Sequence, residues 1–245
     1  MADAALVAFS VPDLGEDAIE AVVDAIRSTW LTTGPRAEPF EREFQAYLGA
    51  AHALAVNSCT AAMHLALAAL GVGPGDEVIT TPLTFCATVN VILQVGATPV
   101  LADIGEELNL DPTRVEAMIT PRTKAILPVH YGGLPCRMQE IWALAEKHGL
   151  KVIEDGAHAA GAEYRRRKID TGPSDSVHFI PIPLHPYYRR TLELRDPCER
   201  ALAEYPRLVS LPIYSKMTDA EVERVIEAVR GVVEAGRRKA VAAGL

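Results

Sequence analysis

Asn57-Ser58-Cys59-Thr60-Ala61-Ala62 follows the apolar run Ala53-Leu54-Ala55-Val56 and opens a helix rich in alanine and leucine. A helix start leaves backbone N–H groups without intrahelical acceptors and carries the positive end of the dipole. That suits a phosphate, with the Thr60 hydroxyl as an added donor. The same residues would also serve as a plain helix cap through Ser58 or Thr60. Asp155 ends the apolar stretch Val152-Ile153-Glu154 and leads into Gly156-Ala157-His158. An acidic residue at the carboxyl end of a parallel strand points into the ligand crevice of an open α/β sheet. There it could accept a hydrogen bond from a protonated ring nitrogen while His158 reaches a ring oxygen. A polar cluster with no ligand fits the same residues. Phe85, at the helix start after Pro82, would either stack on a flat ring or pack in the core. His130 ends a strand and faces the same crevice edge.

The elements that must position these groups alternate. Ile19, Val22, Val23 and Ile26 fall at helical spacing, which predicts a helix over 15–28. A second helix is predicted over 36–48, ended by Gly49. A strand at 53–56 leads to a helix reaching Leu70. The pattern then repeats: strand 77–80 and helix 85–94, strand 98–102 and helix 112–119, strand 124–129 and helix 136–148, strand 151–154. Asp111-Pro112 caps the helix over 112–119. Strands separated by helices of this length form βαβ units, hence a mostly parallel sheet covered on both faces. After Asp155 the alternation stops. Residues 162–176 are polar and turn-like, with Arg165-Arg166-Arg167-Lys168 read as a solvated hairpin tip. Val177-His178-Phe179-Ile180 alternates as a strand, and Pro181, Pro183 and Pro186 break the chain. Thr218 and Glu221 form a capping box for a last helix, which is expected to fray after Gly231.

Composition excludes several classes. The 245 residues are 49% hydrophobic and 23% charged, which suits a globular domain and not a disordered chain. Lys+Arg 24 against Asp+Glu 32 gives a net charge of −8, with no basic stripe for nucleic acid. The four cysteines, Cys59, Cys86, Cys136 and Cys198, form no C-x-x-C pair, so a zinc site is unsupported and reduced thiols in the cytoplasm are expected. The opening residues lack a basic, then apolar, leader pattern, and no apolar run is long enough to span a bilayer.

Several stretches, taken in order, resemble one family. They are Val11-Pro12-Asp13-Leu14-Gly15, Trp30-Leu31-Thr32-Thr33-Gly34-Pro35, Asn57 to Leu67, Gly73-Pro74-Gly75-Asp76-Glu77-Val78-Ile79 and Asn109-Leu110-Asp111-Pro112. Pro128-Val129-His130-Tyr131-Gly132-Gly133, Val152 to His158 and Val177-His178-Phe179-Ile180-Pro181 complete the set. This pattern resembles the DegT–DnrJ–StrS family of sugar aminotransferases dependent on pyridoxal 5'-phosphate (PLP), with the fold-type I architecture. The resemblance runs from about residue 10 to 170 and from about 174 to 233. It implies amino transfer, usually from glutamate, to a keto-sugar nucleotide in polysaccharide biosynthesis. By the resemblance, Cys59 (through its backbone) and Thr60 cradle the phosphate and Phe85 stacks on the ring. Asp155 keeps the ring nitrogen protonated, His158 lies near the ring hydroxyl, and His130 and His178 border the substrate.

The resemblance also exposes a gap. The family's Schiff-base lysine, a few tens of residues beyond the Asp strand, has no counterpart here. Near Thr171 to Ser174 the sequence passes into what resembles the C-terminal small domain. About a hundred residues, a stretch the size of a small domain, are absent. The implied division is 1–172, an incomplete large domain, and 173–245, a small-domain remnant. The six lysines, Lys124, Lys147, Lys151, Lys168, Lys216 and Lys239, all lack the family context. In the family's sheet the two strands after the Asp strand separate it from the strand expected at 53–56. Their loss leaves a gap of about 10 Å, two strand spacings. Either 53–56 closes the gap, bringing Thr60 and Asp155 too near to hold PLP between them, or both edges stay unpaired, and weak PLP binding at best is expected. Two functional expectations follow: a catalytically impaired family member, or a non-catalytic remnant that forms a homodimer or pairs with an intact homologue.

Overall fold

The computed structural model describes Val7 and residues 11–165, 167–168, 180–208 and 216–242. Two compact units form, one from residues 1–32 with 209–245 and the other from 33–208. The smaller opens with α1 (Glu16–Arg27), whose Ile19, Val22 and Ile26 form an exposed apolar stripe.

The larger unit carries the sheet. Helix α2 (Ala37–Leu48) ends where Gly49 turns left-handed, and α3 runs over Cys59–Ala69. Then β1 (Glu77–Thr80), α4 (Cys86–Gln94), β2 (Thr98–Leu101), α5 (Pro112–Met118), β3 (Thr123–Leu127), α6 (Met138–His148) and β4 (Lys151–Val152) alternate as expected. The strands lie parallel in the order β2-β1-β3-β4. Both faces are covered, and alternate side chains divide between them. Val78, Ala125 and Leu127 pack under α3 and α4 with Met63, Leu67, Val91 and Ile92. Ile79, Val100 and Ile126 face α5 and α6 with Val115, Met138 and Ile141. Fully burying side chains of this size contributes about 1.5–3 kcal/mol each.

Residues 53–56 depart from expectation. They form no strand, and Leu54 stays 77% exposed. The Ala55 N–H donates to the Glu41 side chain at 2.8 Å instead of to a neighbouring strand. Among the described residues β4 pairs only with β3, so the segment does not slide in to close the sheet. A strand exists only where a partner accepts its N–H groups, and here that partner is missing.

Arg165, Arg167 and Lys168 of the basic run belong to a hairpin of β5 (Glu163–Tyr164) and β6 (Arg167–Lys168). It is not simply solvated, since the Lys168 ammonium lies 3.3 Å from the centre of the Tyr47 ring. Of the predicted strand 177–180, residues 177–179 lie outside the described residues, and Ile180 is not in a strand. The proline-broken stretch holds two short helices, α7 (Pro186–Thr191) and α8 (Glu199–Glu204). Proline suits the first helical position, which explains why Pro186 starts α7 rather than ending structure. Residues 180–208 add Ile182, Tyr188, Cys198 and Ala201 to a third cluster with Leu83, Val89 and Tyr131. In the smaller unit α9 (Asp219–Ala242) begins at the Thr218/Glu221 capping box. It continues past Gly231, where fraying was expected.

Candidate functional site

The site lies where the amino ends of α3 and α4 meet the carboxyl end of β4. Ser58, not Thr60, caps α3: its backbone is extended and its Oγ accepts the Ala61 N–H at 3.2 Å. The first-turn N–H groups of Cys59 and Thr60 have no acceptor among the described residues, and neither has the Thr60 hydroxyl.

Asp155 is 5% exposed. Its backbone is clamped to the end of β3, donating N–H to Pro128 O at 2.9 Å and accepting from His130 N–H at 3.1 Å. Its Oδ2 accepts the Thr88 hydroxyl at 2.9 Å, and Oδ1 accepts the Ala157 N–H at 3.2 Å. Cys59 Sγ lies 3.7 Å from Oδ1. Burial, then the Asp155 charge, pushes the Cys59 thiol up to about 12, so it stays protonated and donates to the carboxylate.

Phe85 is the residue before α4, extended in backbone and 52% exposed, so it is not a core side chain. His158 is half-buried, and its ring meets Tyr131 edge-on at 6.3 Å. Burial draws its basicity down while the Asp155 charge opposes that shift. The loop holding it depends on Gly133, whose φ is +81°. A Cβ there would come within 2.8 Å of the His158 carbonyl oxygen, so only glycine fits.

His130 is wholly buried. Its Nδ1 accepts the Cys136 N–H at 3.1 Å, which leaves the proton on Nε2 to donate to Glu154 Oε2 at 3.1 Å. Its ring is therefore held inside the protein by Cys136 and Glu154 rather than open at the crevice edge. His178 lies outside the described residues. The structure thus brings Cys59, Thr60, Phe85, Asp155 and His158 to one end of the sheet. Sequence reading missed Thr84 and Thr88, the hydroxyl pair behind Asp155. Their i, i+4 spacing across the start of α4 was the available signal.

The lysines of the larger unit lie elsewhere, and the described lysine of the smaller unit has its own partner. Lys124 and Lys151 are exposed at the amino ends of β3 and β4, the end of the sheet opposite Asp155. Lys147 pairs with Glu116 at 2.6 Å, and Lys216 with Asp13 at 3.0 Å. Lys168 is held over Tyr47. Nor does any described helix have the length and apolarity to cross a membrane.

Similar proteins share this architecture. The spore coat polysaccharide biosynthesis protein SpsC of Bacillus subtilis is 56% identical over 162 residues, 66% of this chain and 42% of SpsC. The aminotransferase from Psychrobacter cryohalolentis superimposes with a TM-score of 0.62 at 41% identity, covering 64% of this chain and 41% of that one. PseC of Helicobacter pylori, an aminotransferase involved in pseudoaminic acid biosynthesis, gives 0.62 at 38% identity, covering 66% and 44%. The chain thus spans less than half the length of these relatives. The family signature itself matches in two stretches, residues 12–175 and 172–230, which meet where the sequence motifs break off. On these matches the chain belongs to the DegT/DnrJ/EryC1/StrS aminotransferase family.

Proposed function

We propose that this chain keeps the recognition half of a PLP site and lacks the covalent half, so that it does not transaminate alone. The family is one of PLP-dependent aminotransferases, and its solved relatives include the PLP form of a putative sugar aminotransferase from Streptococcus pneumoniae. The donor set here fits two parts of that cofactor. Unpartnered N–H groups at the start of α3 suit a phosphate, and buried Asp155 suits a protonated ring nitrogen. Phe85 offers a half-exposed aromatic face beside them. The third part does not fit. No described lysine of the larger unit stands at the carboxyl end of the sheet to hold the aldehyde or carry the proton between carbons. When bound, PLP supplies an electron sink for the carbon next to the amino nitrogen. No step of amino transfer is assigned to this chain.

The observation that carries this reading is the buried Asp155 beneath two helix starts, with the lysines of the same unit engaged or placed elsewhere. The test is to load the chain with PLP, add glutamate and measure 2-oxoglutarate. The expected result is no product above a protein-free control. Product stoichiometric with the chain would overturn the reading. A keto-sugar nucleotide is the acceptor an intact family member would take, and for this chain it is at most a ligand.

A second reading has its own observation. Leu54, Leu65 and Phe40 are at least half exposed, and among the described residues β4 pairs only with β3. Such surface favours association with another chain, either a second copy or an intact homologue. Co-expression with an intact homologue tests this. A complex of the two on size exclusion supports it, and separate elution contradicts it.

A further inference from the structure

Behind Asp155 runs a short chain of buried hydroxyls. Thr84 ends the turn after β1, and Thr88 lies in the first turn of α4; they are 1% and 0% exposed. Their Oγ1 atoms are 2.8 Å apart, and Thr88 Oγ1 is 2.9 Å from Asp155 Oδ2. An ionised carboxylate has no proton to give, so Thr88 donates to Asp155. A hydroxyl carries one proton, so the Thr84–Thr88 bond must take its proton from Thr84. The chain therefore has one direction, from Thr84 through Thr88 to Asp155. It holds Oδ2 from the protein side and leaves Oδ1 toward Cys59 and the Ala157 N–H.

We infer that Thr88 is the positioning residue for Asp155, fixing its carboxylate to receive a protonated aromatic ring nitrogen, with Thr84 orienting the Thr88 hydroxyl. This rests on the reading of Asp155 as the ring-facing carboxylate. Helix α4 then carries two functions three residues apart. Phe85 at its start meets the flat face of a ring, and Thr88 fixes the group that meets the ring's edge. The titratable groups beside Asp155 are Cys59 and His158.

The experiment is a carbon-13 NMR titration of the Asp155 carboxyl in the full chain without cofactor, joined to equilibrium dialysis with PLP. Thr88→Val is expected to raise the Asp155 titration midpoint by about one pH unit and weaken PLP binding about tenfold. Thr88→Ser keeps the hydroxyl and is expected to restore both. A merely structural threonine would change stability in both variants and leave the titration in place. Should Thr88→Val not fold, Thr84→Val removes the outer donor and is expected to move the midpoint in the same direction by less. An unmoved midpoint in the folded variants overturns the inference, whatever PLP does. If the midpoint moves but Asp155→Asn leaves PLP affinity unchanged, the reading of Asp155 fails and takes the named ligand with it. If Asp155→Asn weakens PLP while Thr88→Val changes nothing, the inference alone fails.

Discussion

Cys59 Sγ lies 3.7 Å from Asp155 Oδ1, although 96 residues separate the two in sequence. The contact joins the start of α3 to the end of β4 and fixes the protonation of the thiol. A thiol pushed up to about 12 presents almost no thiolate at pH 8, and thiolate is the reacting form. Alkylation of Cys59 at pH 8, followed by peptide mass mapping, is expected to run far more slowly than in the denatured chain. Asp155→Asn removes the neighbouring charge and is expected to speed it several-fold. Burial, the larger cause, keeps it below the denatured rate. Equal rates in the native and denatured chain would contradict the contact.

Glu77 should control acid stability. Its side chain is buried and accepts from Arg122 Nε at 2.9 Å, Arg195 Nη1 at 3.0 Å and the Thr120 hydroxyl at 2.7 Å. The bond to Arg195 leads in holding the carboxyl down at about 2, against 4.5 ordinarily. A carboxyl depressed on folding stabilises most where the unfolded chain is also ionised. The contribution, about 3 kcal/mol, is thus complete above about pH 4.5, declines below it, and is gone below about pH 2. Urea melts of wild type and Glu77→Gln from pH 2 to 7 check this. Their stability difference is expected to shrink steadily below pH 4.5, and a pH-independent difference would refute it.

Asp103 ties the segment after the sequence gap to the sheet. Its buried carboxylate accepts the Arg200 N–H at 2.7 Å and the Ala201 N–H at 3.0 Å, capping α8. Asp103→Ala strands both donors and is expected to cost about 2–3 kcal/mol. Hydrogen exchange at Arg200 and Ala201 is expected to accelerate more than at Ile79 or Ile126 in the core strands. Uniform acceleration would mean that the cap acts only through global stability.

Leu54 should drive self-association. It is 77% exposed in a segment that has no strand partner. Leu54→Lys is expected to lower light scattering at high concentration and to leave the thermal midpoint within about 2 °C of wild type, as surface substitutions usually do. A large loss of stability would show that Leu54 is packed.

Much of the fold was legible because its elements are determined locally. The apolar runs of β1 and β3 and the spacing along α1 and α2 are read over a few residues, and Asp111, Gly49 and the Thr218/Glu221 box mark helix ends in place. What failed depends on distant partners. Residues 53–56 look like a strand, yet strand formation needs neighbours, and none pairs with them among the described residues. Helix α8 takes its cap from Asp103, 98 residues from Ala201, and starts from Cys198 at φ +55°, so no local signal announces it. Asp155 stood out by its place after a strand, whereas Thr88, 67 residues away, became meaningful only once the fold joined them. His130 was legible as a strand-end residue, but its burial beneath Cys136 and Glu154 was not.

The most direct test of the missing covalent half is borohydride reduction of the chain mixed with PLP, read by intact mass and a peptide map. The expected result is no stoichiometric adduct, with any trace label spread among exposed lysines. A single lysine carrying one reduced pyridoxyl group per chain would contradict the proposal and identify a new residue able to hold the aldehyde.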